Sequence, residues 1–241
     1  MRLRVMTWNI HKGIGGLDRR YRPERIVAVI RHYRPDLLLL QEVDEGAPRS
    51  GLHRQVDHLG DAVGLRHRAY GPNVRMRNGV YGNATLSRWP IVAHANLDLT
   101  LPLKKRRGAL YTRIRVRSGR RSRTLVVYNL HLGLAGFERA VQIRRFLAAQ
   151  PFAHLHPSTP LLVGGDFNDL WGTLGKRFLR PAGFVRAGAL VHTYPAFLPV
   201  RPLDGLHVRG EVVVENAFCG RIGVARQASD HLPLLAELDL R

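Results

Sequence analysis

The chain has a single cysteine, Cys219, in 241 residues. That excludes an intramolecular disulfide and fits a reducing compartment. It also lacks any apolar run near the roughly 20 residues of a membrane span; its longest leucine run is Leu37 to Leu40. Met1 leads almost directly into a patterned strand rather than a long apolar stretch, so no signal peptide is expected and the expected location is cytoplasmic. Acidic residues are scarce, 18 Asp and Glu against 38 Lys and Arg, giving a net charge of +20 and a pI near 11.4. A surplus this large favours polyanionic partners, nucleic acid first and an anionic phospholipid surface second. Lysine is scarce as well, with only Lys12, Lys104, Lys105 and Lys176. The arginine excess is therefore lopsided, which codon bias alone would also produce.

What is present is ordinary for a globular protein: 45% of the residues are apolar, enough for a full core. The length suits one domain over residues 1–241, expected to be a monomer, and no repeat, low-complexity tract or linker interrupts it. Residues 2 to 10 alternate as a strand, with Leu3 and Val5 on one face and Asn9 at the end. The loop Gly13 to Gly16 lacks the Lys-Ser/Thr of a phosphate-binding loop and reads as a plain connection. Pro23 to Arg34 reads as a helix with Ile26, Val27, Val29 and Ile30 inward. A fully apolar strand from Asp36 then ends in Glu42, a carboxylate that has to pair, bind a metal or face a cleft. A polar-rich helix is expected over 51–63, then short strands near 66–70, 81–87, 91–97, 109–116 and 124–130, with Ser118-Gly119 turning the last pair. A helix over 136–150, a helical turn near 171–180, strands near 203–208 and 211–217, and a closing segment from Pro233 to Leu240 complete the pattern.

The stretch Leu161-Leu-Val-Gly-Gly-Asp-Phe-Asn-Asp169 concentrates the chemistry. A short apolar strand runs into two glycines, which permit a sharp turn, and then into Asp166 and Asn168. If the chain stays extended, alternation puts both on one side. A carboxylate able to take a proton or a metal, beside an amide able to orient a water, makes a hydrolytic pair. Asp and Asn are also ordinary turn formers. The balance shifts because polar groups recur at strand ends along the chain: Asn9, Glu42, Asn83, Asn129, His131, Asp166, Asn168, Asp204, Asp230 and His231. One cleft could collect them all.

Thr7-Trp8-Asn9, Gln41-Glu42, Asn129-Leu130-His131, Gly165-Asp166-Phe167-Asn168 and Ser229-Asp230-His231-Leu232-Pro233 resemble, in order, the motifs of the endonuclease/exonuclease/phosphatase superfamily. That superfamily includes pancreatic-type deoxyribonuclease, abasic-site endonucleases, inositol polyphosphate phosphatases and neutral sphingomyelinases. The resemblance implies an α/β fold, a four-layer α/β/β/α sandwich of two packed mixed sheets with helices outside, and a divalent metal at one end. It implies that Glu42 is the main metal ligand with Asn9 beside it, and that Asp230 lies near a second metal position. Hard oxygen ligands of this kind suit Mg²⁺ or Mn²⁺. Asp166 resembles the group that activates or positions the attacking water and Asn168 its orienting partner. His231 resembles the histidine on the scissile phosphate, Asp204 the carboxylate that fixes its tautomer, and His131 a general acid by the leaving oxygen. Tyr81 and Asn83 are looser matches to active-site positions. After Asp204 the family commonly has a bulky aromatic, whereas this chain has Gly205-Leu206-His207, so His207 could compete for a contact.

The family cleaves phosphoesters of nucleic acids, inositol phosphates and sphingolipids from one site design, so fold does not choose the substrate. The charge and His131 favour a nuclease acting on DNA, endonuclease or exonuclease; a phospholipid phosphodiesterase or phosphatase at an anionic membrane is the alternative. The run Lys104-Lys105-Arg106-Arg107 leads into a strand whose alternation puts Arg113, Arg115 and Arg117 on one face. Either these guard an edge strand against aggregation, or they form a surface that tracks phosphates while the metal site cuts. The apolar loop from His192 to Val200 either packs or contacts a base or lipid.

Overall fold

The computed structural model describes residues 1–241. In its first half, β1 (Arg2–Asn9), α1 (Pro23–Tyr33), β2 (Leu37–Glu45), α2 (Gln55–Val63), β3 (His67–Arg75) and β4 (Val80–Ser87) precede the hairpin elements β5 (Ile91–Asp98), β6 (Gly108–Ser118) and β7 (Arg121–His131). The second half holds α3 (Gly136–Ala148), β8 (Leu161–Asp166), β9 (Val185–Arg186), β10 (Asp204–Arg209), β11 (Val212–Cys219), α4 (Gly223–Ala228) and β12 (Leu234–Leu240). The strands form two mixed sheets, ordered β11-β12-β1-β2-β4-β3 and β5-β6-β7-β8-β10-β9.

Leu37 to Leu40 show why the sheets stack. Leu38 and Leu40 pack with Trp8, Ile26 and Ile30 under α1, whereas Leu37 and Leu39 pack with Leu125, Val127, Leu162 and Leu206 of the other sheet. A strand buried on both faces needs a continuous apolar run, which is what β2 supplies. Burying each leucine contributes roughly 1.5–3 kcal/mol. A third cluster, including Tyr128, Ile143 and Phe146, seats α3 on the outside of the second sheet. The result is the expected order of layers, helices, sheet, sheet, helix. No helix is long and apolar enough to cross a membrane.

Several local expectations change. β2 does not end at Glu42: the strand continues to Glu45 through a bulge between Leu40 and Val43, with Glu42 at φ 55°. The bulge turns the Glu42 side chain out of the ladder while the strand goes on. The polar helix starts at Gln55 rather than 51, because a turn at Pro48–Ser50 and a left-handed Gly51 precede it. Helix α4 carries no strong apolar period and was not anticipated. β6 lies between β5 and β7, so it is no edge strand. Arg113, Arg115 and Arg117 are exposed there, while Ile114 and Val116 enter the core between the sheets.

Candidate active site

Strand register assembles the site. β8 ends at Asp166; its parallel register with β7 sets His131 beside that residue, and its antiparallel register with β10 sets Asp204 on the other side. Gly165 makes the last step possible. It adopts φ 141°, and a Cβ there would lie 1.9 Å from the Leu130 carbonyl oxygen. β1 brings Asn9 to the same end, and the Ser229–His231 segment before β12 closes the ring, with the Ser229 hydroxyl donating to the Asn9 carbonyl at 2.7 Å. A cavity of ≈ 450 Å³ is lined by Asn9, Glu42, His131, Asp166, Asn168, Asp230 and His231 among others.

Asp166 is the hub. Its Oδ2 accepts from Asn9 Nδ2 at 3.0 Å and lies 3.6 Å from His131 Nε2 and 3.8 Å from His231 Nε2. Its Oδ1 accepts from the Asn168 backbone N–H at 2.9 Å. The chain is not extended here, since Asn168 sits at φ 49°. The stretch is therefore a turn, as Asp and Asn commonly form, and that turn aims Asp166 into the cleft. The Asn168 amide also donates to the Leu132 carbonyl at 2.9 Å, tying the turn to the end of β7. Burial pushes the Asp166 carboxyl up, to about 6. Burial works against a charged His231, but Asp204 and Asp166 outweigh it and hold the imidazolium up to about 10. His231 Nδ1 meets Asp204 Oδ2 at 2.9 Å, and the Thr193 hydroxyl donates to that same oxygen at 2.5 Å. The indole of Trp8 holds the His231 carbonyl at 2.8 Å. Burial, helped by Arg107, holds His131 well below its ordinary value, hence neutral.

A hard divalent cation suits the donors. Glu42, Asn9, Asp166 and Asp230 face one cavity, and all offer oxygen. Burial raises the Glu42 carboxyl, but the charge and hydrogen bond of Lys12 more than offset this and hold it at about 2. The Lys12 ammonium donates to Glu42 Oε2, so this carboxylate already accepts a positive partner. Donor atoms of Asp166, Asp204 and His231 also lie within 4.8 Å of one another. His231 and Asp204 are hydrogen-bonded to each other, which leaves the Glu42 side of the cleft as the freer set of oxygen donors.

Some expected residues stand elsewhere. Asn83 is buried between the sheets, donating to the carbonyls of Gly108 and Asn129 at 3.1 Å, with its own Oδ1 unpartnered. Tyr81 is buried behind the cleft, with Lys12, Arg49 and Lys105 over its ring at 5.2–5.5 Å. Of the basic run, Lys105 and Arg107 line the cleft. Lys104 lies over Phe137, and Arg106 lines a neighbouring crevice with Asp98, which Arg107 also borders. Arg113, Arg115 and Arg117 lie on the outer face, away from it. The sequence reading missed His11, Lys12 and Arg201, all of which line the cleft, as does Tyr194 from the apolar His192–Val200 loop. Lys12 had a signal: a rare lysine three residues past a strand-end asparagine.

A model of the Endonuclease/Exonuclease/phosphatase family matches residues 6–231. The uncharacterized protein YbhP of Escherichia coli K12 is 32% identical over 250 residues, covering 98% of this chain and 96% of that protein. An endonuclease/exonuclease/phosphatase from Beutenbergia cavernae has a similar structure, with TM-score 0.80 at 23% identity over 99% of this chain and 72% of that one. The mannosyl-6-phosphatase Bt3783 of Bacteroides thetaiotaomicron gives TM-score 0.74 at 18% identity, covering 99% and 100% of the two chains. The two structural likenesses establish the fold.

Proposed function

The chain belongs to the endonuclease/exonuclease/phosphatase family of phosphoester hydrolases, and on that premise we propose a divalent-metal-dependent phosphodiesterase whose first substrate class is nucleic acid, DNA above all. One observation carries the anionic substrate. Arg107 lines the cleft at 6% exposure, and its Nε is buried without a partner. A buried guanidinium N–H left without a partner is costly; a phosphate entering the cleft would relieve it through a charge-assisted hydrogen bond. Lys12, Lys105 and Arg201 add positive charge around the same mouth.

Each residue then has a task. Asp166, with a carboxyl raised toward neutrality by burial, takes the proton of the attacking water, a role that works best when pKa and operating pH are close. Asn9 and the Asn168 N–H fix its orientation. His231, kept protonated and oriented by Asp204, faces the negative charge that develops on the phosphate oxygens. His131 is neutral until an anion arrives; a bound phosphate would raise its proton affinity beside the leaving oxygen. Glu42 and Asn9, with Asp230 nearby, would hold a divalent cation, which when bound would supply Lewis-acid stabilisation of charge on the phosphoryl oxygens.

A second reading has its own support. Leu134 and Leu170 line the cleft yet are exposed, and Leu103, Phe137, Phe197 and Leu198 stand exposed as well. Phe197 shares a neighbouring cavity with Tyr194 and Asp230, and Lys104 covers Phe137. Apolar side chains mixed with lysines around a catalytic mouth suit an anionic phospholipid surface. A substrate panel separates the two readings: plasmid, single-stranded DNA, RNA, abasic duplex, inositol phosphates and anionic phospholipid vesicles, each with Mg²⁺ or Mn²⁺ and with excess EDTA. We expect DNA to be cleaved only with metal. Hydrolysis of phospholipid but not DNA would replace the first reading with the second, and full activity in EDTA would end both.

A further inference from the structure

The second sheet has a pocket on its outer face that the catalytic reading does not use. Leu206 and Val208 of β10 enter the core between the sheets, so His207 between them points the other way. There it lines a cavity of ≈ 610 Å³ together with Phe184, Val185 and Leu190, a volume within the roughly 300–1,000 Å³ of small-molecule sites. His207 is 3% exposed, and neither of its ring nitrogens has a hydrogen-bond partner. Its ring meets Phe167 edge-on at 5.3 Å, a contact that holds the ring in place without satisfying it. On the other side is Gly175, where a Cβ would lie 2.8 Å from His207 Nε2, so a larger residue there would crowd the ring. Burial, with Arg186 adding to it, holds the imidazole at about 3. The ring is neutral at working pH and presents one donor and one acceptor.

We propose that this pocket binds a mononucleotide. Three features converge on that class. Trp171, 78% exposed at the pocket wall, offers a face for a planar ring. Neutral His207 matches the edge of a heteroaromatic base, which carries donors and acceptors side by side. Lys176, Arg180 and Arg186 make the pocket cationic, as a phosphate requires. An alkyl chain would fit the apolar walls but gain nothing from the His207 nitrogens or from the three cations. Inorganic phosphate would use the cations and leave the aromatic walls idle. The pocket touches the catalytic machinery only from behind: Arg186 donates to the Asp204 carbonyl oxygen at 3.4 Å. Occupancy therefore needs neither metal nor Glu42, and the proposal stands or falls apart from the phosphodiesterase reading.

Calorimetry and tryptophan fluorescence on the metal-free full chain, titrated with AMP, GMP, CMP and UMP, test it. Ribose phosphate and octyl phosphate serve as controls. We expect at least one mononucleotide to bind saturably and quench the emission, with both controls weaker. His207→Leu should weaken binding about tenfold, the equivalent of one net hydrogen bond. Trp171→Ala, a surface change that leaves the core intact, should weaken it by at least as much, read by calorimetry. Glu42→Gln should leave it unmoved. Absence of binding by all four nucleotides would overturn the proposal. So would nucleotide binding that survives both pocket variants but falls in Glu42→Gln, which would locate the nucleotide in the catalytic cleft. Preference for octyl phosphate over every nucleotide would overturn it in favour of a lipid.

Discussion

Arg107, just before β6, and Arg113, in the middle of it, stand six residues apart and do different physics. Arg107 is buried at the cleft with an unpartnered Nε. Arg113 is exposed on the outer face, in line with Arg115 and Arg117. At about 3.4 Å of rise per residue, Arg113 lies about 20 Å along the strand from Arg107, and Arg117 about 34 Å. In sequence both belong to one dense basic run. In the fold, one guanidinium keeps a buried Nε–H without a partner at the cleft, while the other three are hydrated and gain little from any single contact. Formal charge alone does not distinguish them; burial does.

The comparison predicts a graded response, steepest at the cleft. Asp166→Asn and His231→Ala should each lower kcat by about 10²–10⁴, with the fold retained, because proton transfer and transition-state charge are what they serve. Glu42→Gln should show part of its loss as a higher Mg²⁺ or Mn²⁺ concentration for half-activation. Single-turnover assays across a metal titration check both. Near-normal turnover in Asp166→Asn would move the base elsewhere in the cleft.

Arg107→Gln comes next. Removing one charge-assisted hydrogen bond to phosphate should cost about 1.5–3 kcal/mol, roughly 10- to 150-fold in kcat/KM on a small diester such as bis-p-nitrophenyl phosphate. Thermal melting should show equal or higher stability, since a buried N–H without a partner is gone. A variant with unchanged kcat/KM but lower stability would mean that Arg107 is a structural residue, and the contrast with the outer arginines would lose its functional meaning.

Much of this was legible because strand ends carry polar residues that a buried sheet does not otherwise tolerate. Glu42 after four leucines, Asp166 after two glycines and Asp230-His231 before the last strand all announced themselves, and all line one cleft. What stayed hidden depended on register and local backbone. Asn83 reads like the other strand-end groups, yet its amide stitches the two sheets through Gly108 and Asn129. Glu42 leaves the ladder by a bulge, which no period of two foretells. Lys12 reaches Glu42 from a loop whose glycines gave no phosphate-binding pattern. Alternation correctly placed the arginines of β6 on one face, but strand order alone could say that β6 is interior, and that removes the edge-guarding explanation.

The smallest expected effect belongs to those arginines, and it is the most discriminating. Arg113, Arg115 and Arg117 point outward from the side of the sandwich, whereas the cleft opens at its end. A small diester in the cleft cannot touch them, so converting all three to Gln should leave its hydrolysis unchanged. A long polyanion can reach them only by running over the rim and down the outer face, over a span near the about 34 Å of one DNA turn. If it does, the triple variant should bind DNA more weakly, and the log–log salt slope should become shallower by roughly one unit per lost phosphate contact. Arg107→Gln should change that slope by no more than one such unit while damaging small-diester turnover, the inverse pattern. Salt titrations of DNA affinity on the two variants, alongside vesicle sedimentation with anionic phospholipid, read the difference. Loss of vesicle binding with an unaltered DNA slope would assign the outer face to a membrane. No change in either measurement would leave three hydrated arginines with no ligand, and the positive charge that matters would be confined to the cleft.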